Sequence, residues 1–259
     1  MSSGRFANRV AIVTGGSNGI GRAVTSALTA ERASVLVCDL VDSGFFAADD
    51  RVATLVGDVA DAEFAEAAVT AAAHRFGRVD ILVNDAASYP DGTLLAMTPQ
   101  QWDRVFRVNV TGSFMMSQAF ARHCVATSTG GAIVSISSGS ARSPRPGGAA
   151  YSASKAALET MSKVFAMELG AHGIRVNVVA PGPILTEHIE AAGPEAQRLA
   201  GQSTPMRRMG RADEVADVVL WLCSDRSSFV TGATIPIDGG QQAGSKPPRM
   251  YRQGEPMQP

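Results

Sequence analysis

The chain alternates short, mostly apolar runs with longer segments in which apolar residues recur at helical spacing. A wholly apolar run of this length predicts a strand that is buried on both faces of a sheet. Runs that approach this pattern, most with one or two polar residues, fall at residues 10–13, 34–39, 52–57, 79–83, 133–136, 174–179 and 234–237. Because helical segments separate them, the pattern predicts an α/β fold, with a doubly wound, mostly parallel seven-stranded sheet and helices on both faces.

The predicted helices have recognisable ends. One follows the first strand and runs through residue 30, and another covers residues 62–76 and stops at Gly77, a common helix terminator. Thr98 suits an N-cap and Pro99 suits the first position of a long helix that reaches about residue 125. The remaining helices are predicted over residues 150–171 and 212–223. Residues 181–210 look irregular.

The chain has no linker, internal repeat or composition break, so residues 1–240 are predicted to form a single domain. Residues 241–259, which are rich in Pro, Gly, Gln and Arg, are interpreted as a C-terminal tail. Poor order is the default expectation for such a tail. An arm that reaches a neighbouring subunit is the alternative.

Composition narrows the class of protein. Hydrophobic residues make up 45% of the chain, and a formal net charge of −1 gives no reason to expect nucleic acid or an acidic membrane surface as partner. The cysteines Cys38, Cys124 and Cys223 are odd in number and far apart, which indicates buried free thiols. No metal is expected, because the four histidines lack metal-ligand spacing. With no apolar stretch near the roughly 20 residues of a membrane span and no signal peptide, a cytoplasmic location is predicted.

A glycine-rich turn joins the first strand to the first helix: Thr14-Gly15-Gly16-Ser17-Asn18-Gly19-Ile20-Gly21. Glycines at such a turn allow positive φ and let the backbone approach a pyrophosphate closely. The helix that follows offers N–H groups and a positive dipole end to phosphates. The turn therefore predicts a dinucleotide site and a Rossmann-type fold, the alternative being a tight turn that only packs helix on strand.

The acid at the end of the second strand, Asp39, bears on the choice of dinucleotide. A carboxylate there can accept hydrogen bonds from the adenosine ribose and would repel a 2′-phosphate. NAD is therefore the predicted cofactor, with NADP less favoured. Arg22, just inside the first helix, could attract a phosphate and keeps NADP open. The alternative is that Asp39 is a solvated acid at the end of the strand, with no role in cofactor binding.

A proton-transfer group is predicted further along the chain. Tyr151 and Lys155 lie four apart on a predicted helix, so they share one face, with Cβ atoms about 5–6 Å apart. Ser138 follows the fifth strand, at the sheet edge where ligands of open α/β sheets bind. A tyrosine exchanges protons near neutral pH only if its pKa is lowered, and a nearby ammonium and an oxidised nicotinamide would both do so. Ser137 is an alternative to Ser138.

In this order the motifs resemble the short-chain dehydrogenase/reductase family. The turn at 14–21, the Tyr-x-x-x-Lys pair, the segment from Pro181 to Thr186 and the stretch near 231–240 all match, so the resemblance covers about residues 6–240. The family usually has Asn-Asn-Ala-Gly where this chain has Asn84-Asp85-Ala86-Ala87. Asp85 and Ala87 depart from that pattern, and Asp85 adds a charge near the cofactor.

The resemblance also assigns roles to residues. Lys155 would hold the nicotinamide ribose, Ser138 the substrate oxygen, and Asn109 a water-mediated proton relay. Asp58 would bond the adenine edge, and Ile184 and Thr186 the carboxamide, which exposes the pro-S face. The full cofactor set is Gly15, Ser17, Asn18, Gly19, Ile20, Gly21, Asp39, Asp58, Val59, Asn84, Tyr151, Lys155, Pro181, Gly182, Ile184 and Thr186.

These expectations predict an NAD-dependent oxidoreductase that interconverts a secondary alcohol and a ketone, with Tyr151 as general acid/base. By the resemblance, it forms a homotetramer through helices at about 99–125 and 150–171. The alternatives are an NADPH-dependent carbonyl reductase and a non-catalytic dinucleotide-sensing regulator. Sugar epimerisation or dehydration is disfavoured, since about 75 residues after Pro181 are few for a larger substrate domain.

The substrate itself is not predicted. Loops after the fourth, fifth and sixth strands, at 88–97, 139–148 and 183–210, should form the cleft walls. Arg142 and Arg145 would recognise a carboxylate or phosphate, or else are solvated loop residues. Met206 and Met209 would line an apolar pocket or pack beneath a lid.

Overall fold

The computed structural model describes residues 4–191 and 193–244, and it contains the predicted seven-stranded parallel sheet. The spatial order of the strands is β3-β2-β1-β4-β5-β6-β9. These strands are β1 (Val10–Thr14), β2 (Ser34–Asp39), β3 (Val52–Val56), β4 (Ile81–Asn84), β5 (Gly131–Ile136), β6 (Ile174–Pro181) and β9 (Thr234–Ile237). A separate two-stranded pair joins β7 (Ile184–Leu185) to β8 (Gly210–Arg211). The strand order reverses between β1 and β4, which is where open α/β sheets bind ligands.

Helices cover both faces of the sheet. They are α1 (Gly19–Ala30), α2 (Ala62–Phe76), α3 (Pro99–Phe106), α4 (Ser113–Thr127), α5 (Ala149–Leu169), α6 (Glu187–Ala191), α7 (Pro194–Gln202) and α8 (Ala212–Cys223). Thr98 caps α3 as predicted: its side chain accepts a hydrogen bond from the Gln101 N–H at 3.2 Å, and the Gln101 side chain accepts one from the Thr98 N–H. No helix in the described part of the chain is long and apolar enough to cross a membrane.

The prediction of one long helix from residue 99 to about 125 was wrong in one respect. A π-helical turn at Arg107–Gly112 separates α3 from α4. Asn109 lies in this turn with no solvent exposure. The wider turn inserts polar side chains between helices without ending the helical run, a device frequent at functional sites.

Two apolar clusters form the core, one on each face of the sheet. Val13 and neighbouring strand residues pack against α1 and α8 on one face. Ile12 and its neighbours pack against α2 and α4 on the other. Successive strand side chains point to opposite faces, so a wholly apolar strand serves both clusters. Cys38, Cys124 and Cys223 are buried and free, and burial raises the pKa of their thiols to about 12, 11 and 12.

Candidate active site

A cavity of about 1010 Å³ runs along the carboxyl edge of the sheet, across the reversal between β1 and β4. Most of the residues predicted for the site line it: Gly15, Asn18, Gly19, Ile20, Asp39, Asp58, Val59, Ser138, Tyr151, Lys155, Pro181, Gly182, Ile184 and Thr186. Ser17, Gly21, Asn84 and Asn109 do not line it in the described part of the chain. The predicted cofactor turn and proton-transfer group therefore share one cleft.

The glycines of the turn are required by close backbone approaches. Gly15 has φ 68°, and a Cβ there would lie 2.9 Å from backbone atoms of Ala86. A Cβ on Gly21 would lie 2.3 Å from the carbonyl oxygen of Gly15. Because glycine has no side chain at these positions, the backbone of the turn stays accessible to a phosphate group. This arrangement fits a dinucleotide.

The backbone N–H groups at the start of α1 donate hydrogen bonds to carboxylates of the protein itself. Gly19 donates to Glu187 Oε2 at 3.1 Å, and Gly21 donates to Asp85 Oδ2 at 2.8 Å. Arg22 pairs with the same Glu187, and its guanidinium lies 4.7 Å from the ring centroid of Phe45. The helix start thus attracts anions as expected. The positive charge of Arg22 is therefore already paired with the carboxylate of Glu187.

Asp39 is held at the cavity wall by two backbone groups. Its Oδ2 accepts from the Ser17 N–H at 3.1 Å, and its Oδ1 accepts from the Leu40 N–H at 2.8 Å. The carboxylate is therefore fixed in place, unlike a mobile strand-end acid. It lies where the second strand ends, the position from which an acid can reach a ribose.

Two further predicted residues lie at the next strand end. Asp58 pairs with Arg107 at 2.9 Å and accepts from the Ala60 N–H at 2.9 Å. Val59 beside it is 6% exposed and lines the cavity. Together they make a small apolar wall with a fixed carboxylate, which fits a flat ring with polar edges.

Asn84 supports the sheet from behind the cavity. Its Nδ2 donates to Ser117 Oγ at 3.1 Å and lies 3.4 Å from Ser135 Oγ. These bonds join β4 to α4 and β5. The next residue, Asp85, is the one that faces the cleft.

The proton-transfer group assembles as predicted. Ser138 hydrogen-bonds Tyr151, and Lys155 Nζ lies 5.7 Å from the Tyr151 ring centroid. Lys155 is 2% exposed, and its ammonium donates to the Ile136 carbonyl oxygen at 2.7 Å. A hydroxyl, a phenol and a buried cation therefore meet on one side of the cavity.

In the protein without cofactor the pKa of Tyr151 is raised; the expected lowering also depends on an oxidised nicotinamide and stays a prediction. Burial raises the pKa of Tyr151, the hydrogen bond from Ser138 lowers it, and the charge of Asp85 raises it further. Burial also lowers the pKa of Lys155, which the carboxylate of Asp85 opposes. Desolvation disfavours the charged form of each group, and burial is the largest influence on the pKa of both.

Asn109 ties the loop after β4 to α5. Its Nδ2 donates to Ser154 Oγ at 2.9 Å and to the Ser88 carbonyl oxygen at 3.0 Å, while its Oδ1 accepts from the Ser88 N–H at 2.7 Å. The side chain is thus fully occupied by the protein. A relay role at Asn109 stays a prediction.

The choice between the two adjacent serines follows from their partners. Ser137 also lines the cavity, but its buried Oγ donates to Glu159 Oε1 at 2.9 Å. Ser138 Oγ accepts from the Ser140 N–H at 3.1 Å and contacts Tyr151. Ser138 is therefore the serine placed to contact a substrate oxygen.

Ser138→Ala should lower turnover by about 10²-fold, because it removes a hydrogen-bond donor to the reacting oxygen. Ser137→Ala is the matched control and should cost about 1 kcal/mol of unfolding free energy with turnover near the original value. Steady-state rates and thermal unfolding of both variants provide the comparison. The assignment is wrong if Ser137→Ala is the more damaging to turnover.

The two loop arginines are paired within the protein. Arg142 pairs with Glu159 at 2.9 Å, and Arg145 pairs with Asp91 at 2.7 Å. Only Arg145 lies among the cavity-lining residues of the described chain. Because both guanidinium groups already pair with carboxylates, we interpret the two arginines as residues that order their loops. A dedicated site for a substrate anion is disfavoured.

The sequence analysis singled out Asp85 as a charge near the cofactor, and it lines the cavity, whereas the lining residues Tyr89, Glu187 and Gln241 were not singled out. The Tyr89 ring lies 6.2 Å from that of Tyr151, nearly perpendicular to it. Its place in the predicted wall loop 88–97 was the available signal. Gln241 donates to Ser203 Oγ at 3.0 Å, so the first residues of the predicted tail contact this chain's own cleft. Residues 245–259 of that tail lie outside the described residues.

The two methionines proposed for the pocket differ in whether they line the cavity. Met209 lines the cavity, whereas Met206 is 60% exposed. Ala200 on α7 also lines it. The segment after β6 therefore forms one wall, as the loop prediction stated.

Comparison with known proteins gives an independent view. The sequence model of a protein family described as Enoyl-(Acyl carrier protein) reductase matches residues 15–242. The chain is 37% identical over 243 residues to 3-oxoacyl-(acyl-carrier-protein) reductase of Thermotoga maritima, covering 91% of this chain and 98% of that protein. It is 36% identical over 241 residues to L-xylulose reductase of Bos taurus, with 91% and 97% covered. It is 33% identical over 244 residues to glucose 1-dehydrogenase 2 of Bacillus subtilis, with 90% and 94% covered.

Proposed function

We propose that this chain, which belongs to the short-chain dehydrogenase/reductase family and is an NAD(P)-dependent oxidoreductase, uses NAD to interconvert a secondary alcohol and a ketone. One observation carries the proposal. Ser138, Tyr151 and Lys155 line the same cavity as the glycine-rich turn. A cofactor held at the turn and a substrate held at Ser138 would therefore meet in one cleft.

The side chains divide the proton chemistry between them. Bound nicotinamide supplies the hydride acceptor or donor. Tyr151 Oη exchanges the proton of the substrate oxygen, and Ser138 Oγ donates a hydrogen bond to that oxygen. Lys155, buried beside the ring, stabilises negative charge on Tyr151 whenever it is ionised. Burial raises the pKa of Tyr151 in the protein without cofactor, and the protonated phenol is the form that donates a proton to a ketone.

The preference for NAD is supported by the carboxylate of Asp39. Two backbone N–H groups fix it at the cavity wall. A 2′-phosphate placed near it would meet like charge, at a cost on the order of several kcal/mol. The one cation of α1 near the turn, Arg22, is paired with Glu187.

Asp39→Ala should narrow the ratio of NADPH to NADH dissociation constants, because it removes the repulsion of the 2′-phosphate. Titration of both variants with each reduced cofactor, followed by nicotinamide fluorescence, measures the ratio. Asp42→Ala is the control: it removes an exposed acid three residues further along the same connection. An unaltered ratio in Asp39→Ala would locate the selectivity elsewhere.

The main alternative is an NADPH-dependent carbonyl reductase. Two of the relatives above are named reductases. Tighter binding of NADPH than of NADH would support this alternative. A non-catalytic sensor of dinucleotide is the second alternative, and cofactor binding without turnover on any alcohol or ketone would support it.

A homotetramer remains part of the proposal. On α5 the apolar side chains of Val164 and Met167 are 40% and 75% exposed, and Val125 on α4 is 41% exposed. Exposed apolar side chains on long neighbouring helices suit a subunit interface.

A further inference from the structure

Glu159 is a buried carboxylate on α5 that the proposed reaction does not use. It is 8% exposed, and it follows Lys155 by four residues on the helix that also carries Tyr151. Residues four apart share one face of a helix, so Glu159 and Lys155 lie on the same side of α5. A buried carboxylate is costly to remove from water unless it is paired, so the partners of Glu159 indicate its role.

The two partners of Glu159 lie on either side of Ser138 in the sequence. Ser137 Oγ donates to Glu159 Oε1 at 2.9 Å, and Arg142 Nη2 donates to Glu159 Oε2 at 2.9 Å. One oxygen therefore accepts from the residue before Ser138, and the other accepts from a residue shortly after it. The carboxylate thus links both ends of the turn that carries Ser138 to α5, the helix that carries Tyr151.

Residues 138–142, here called the serine turn, have a shape that their own hydrogen bonds set. The segment is a single turn of 3₁₀-helix. The Ala141 N–H donates to the Ser138 carbonyl oxygen at 3.0 Å, and the Ser140 N–H donates to Ser138 Oγ at 3.1 Å. Because these bonds lie within the turn, they do not determine its distance from α5. That distance depends on contacts that cross from the turn to the helix.

The two ends of the serine turn depend on Glu159 to different extents. The Ser137 backbone N–H donates to the Val179 carbonyl oxygen at 2.7 Å, so the sheet holds this end even without the Ser137 hydroxyl. Arg142 lies beyond the strand. In the described part of the chain, its guanidinium donates to Glu159 and, at 3.3 Å, to Gln242 Oε1. The ion pair with Glu159 is therefore the contact that fixes the far end of the turn to α5.

We propose that Glu159 is a positioning residue for the reaction: through its ion pair with Arg142 it holds the serine turn against α5 and so fixes Ser138 Oγ relative to Tyr151. The inference rests on the function proposed above, because that function places the substrate oxygen at Ser138. No bond to substrate or cofactor is assigned to Glu159. Its effect comes from geometry, since a misplacement of about 1 Å in an active site can cost about 10²-fold in rate.

Glu159→Gln tests the ion pair, because the amide oxygen still accepts the Ser137 hydroxyl while the charge opposite Arg142 is lost. We expect kcat to fall about tenfold, with the dissociation constant of NADH unchanged, because the glycine-rich turn is not altered. The loss should stay below that of Ser138→Ala, since a displaced hydroxyl loses at most its whole contribution. Glu168→Gln is the matched control, because Glu168 is exposed on the same helix and its loss changes net charge equally.

The double variant Ser138→Ala/Glu159→Gln distinguishes positioning from a general structural role. If Glu159 acts through Ser138, the double variant should turn over as fast as Ser138→Ala, within a factor of about two. A general structural role would instead slow both backgrounds equally. A further loss of about tenfold in the double variant would overturn the proposal. Turnover of Glu159→Gln equal to that of Glu168→Gln would do the same.

Arg142 allows the same test from the other side of the ion pair. Arg142→Ala should match Glu159→Gln in turnover, whereas Arg142→Lys keeps a cation opposite the carboxylate and should recover part of the loss. If thermal unfolding shows that Glu159→Gln does not fold, the comparison of Ser138→Ala with Ser138→Ala/Arg142→Ala replaces it, since the Arg142 side chain is 38% exposed. Full turnover in a folded Arg142→Ala variant would contradict the proposal.

Hydrogen exchange separates this inference from the proposed function. Mass spectrometry on peptides that contain residues 138–142 measures how fast the backbone N–H groups of the serine turn exchange. We expect faster exchange in Glu159→Gln than in Glu168→Gln, because the turn is less firmly held. Unaltered exchange would overturn the inference whatever the turnover. Faster exchange in a protein with no turnover on any alcohol or ketone would leave the ordering of the turn by Glu159 standing and remove the proposed function.

Discussion

Tyr151→Phe should lower turnover by about 10²–10⁴-fold, the usual contribution of a general acid or base, while NADH affinity stays nearly intact. The phenol is the group of the proton-transfer set suited to exchange a proton with the substrate oxygen, since a serine hydroxyl is a far weaker acid and the Lys155 ammonium is buried and donates to the Ile136 carbonyl oxygen. Removing one oxygen atom leaves the ring and its packing unchanged. Steady-state rates and cofactor titration on the same preparation measure both quantities.

Tyr89→Phe is the control for this prediction. Its ring lies 6.2 Å from that of Tyr151 in the same cleft, and the substitution removes the same hydroxyl. Only a small change in turnover is expected from it. Unchanged turnover in Tyr151→Phe would remove Tyr151 from the mechanism, and a larger loss in Tyr89→Phe would transfer the role.

Lys155→Met should lower kcat/KM by about 10³-fold and also weaken NADH binding, unlike Tyr151→Phe. Removing one preorganised donor or charge that stabilises the transition state typically costs about 10²–10³-fold in rate. The ammonium donates to the Ile136 carbonyl oxygen at 2.7 Å and counters Asp85, so both lose their partner.

Lys163→Met provides the comparison within the same helix. Lys163 is exposed two turns further along α5, so its loss changes charge without disturbing the cleft. Rates and affinities near the original values are expected. Equal damage from both substitutions would mean that the helix, and not the buried ammonium, is what matters.

The sheet was predictable because its strands are buried on both faces. A mostly apolar run such as 10–13 or 234–237 has few other stable placements, and the helix over 212–223 was predicted to its observed bounds. Strand ends were less certain: β6 continues to Pro181, where its pairing with β9 extends the strand. Ladder partners decide such ends, and a single sequence does not reveal them.

The chemistry of the site was predictable where the spacing of residues along the sequence determines their relative position. Tyr151 and Lys155 share a helix, so their relative position follows from their separation of four residues. The influence of Asp85 on Lys155 could not be predicted in this way, because the two residues lie 70 positions apart and are brought together only by the fold. Glu187 at the start of α1 is a contact of the same kind, as is Gln241 at Ser203.

The π-helical turn was unpredictable for a different reason. Residues 107–112 are compatible with an ordinary α-helix, and the wider turn is chosen by tertiary contacts. Asn109 must bond both Ser88 and Ser154 from this turn. The raised pKa of Tyr151 was also missed, since the extent of burial depends on the packed loop and not on neighbours in sequence.

The most direct measurement is parallel titration of the purified protein with NADH and NADPH, followed by nicotinamide fluorescence and then by a screen of secondary alcohols with NAD. Tighter binding of NADH, with NADH formed from at least one alcohol, is the predicted result. Failure of both cofactors to bind would contradict the central claim, because the glycine-rich turn would then hold no dinucleotide.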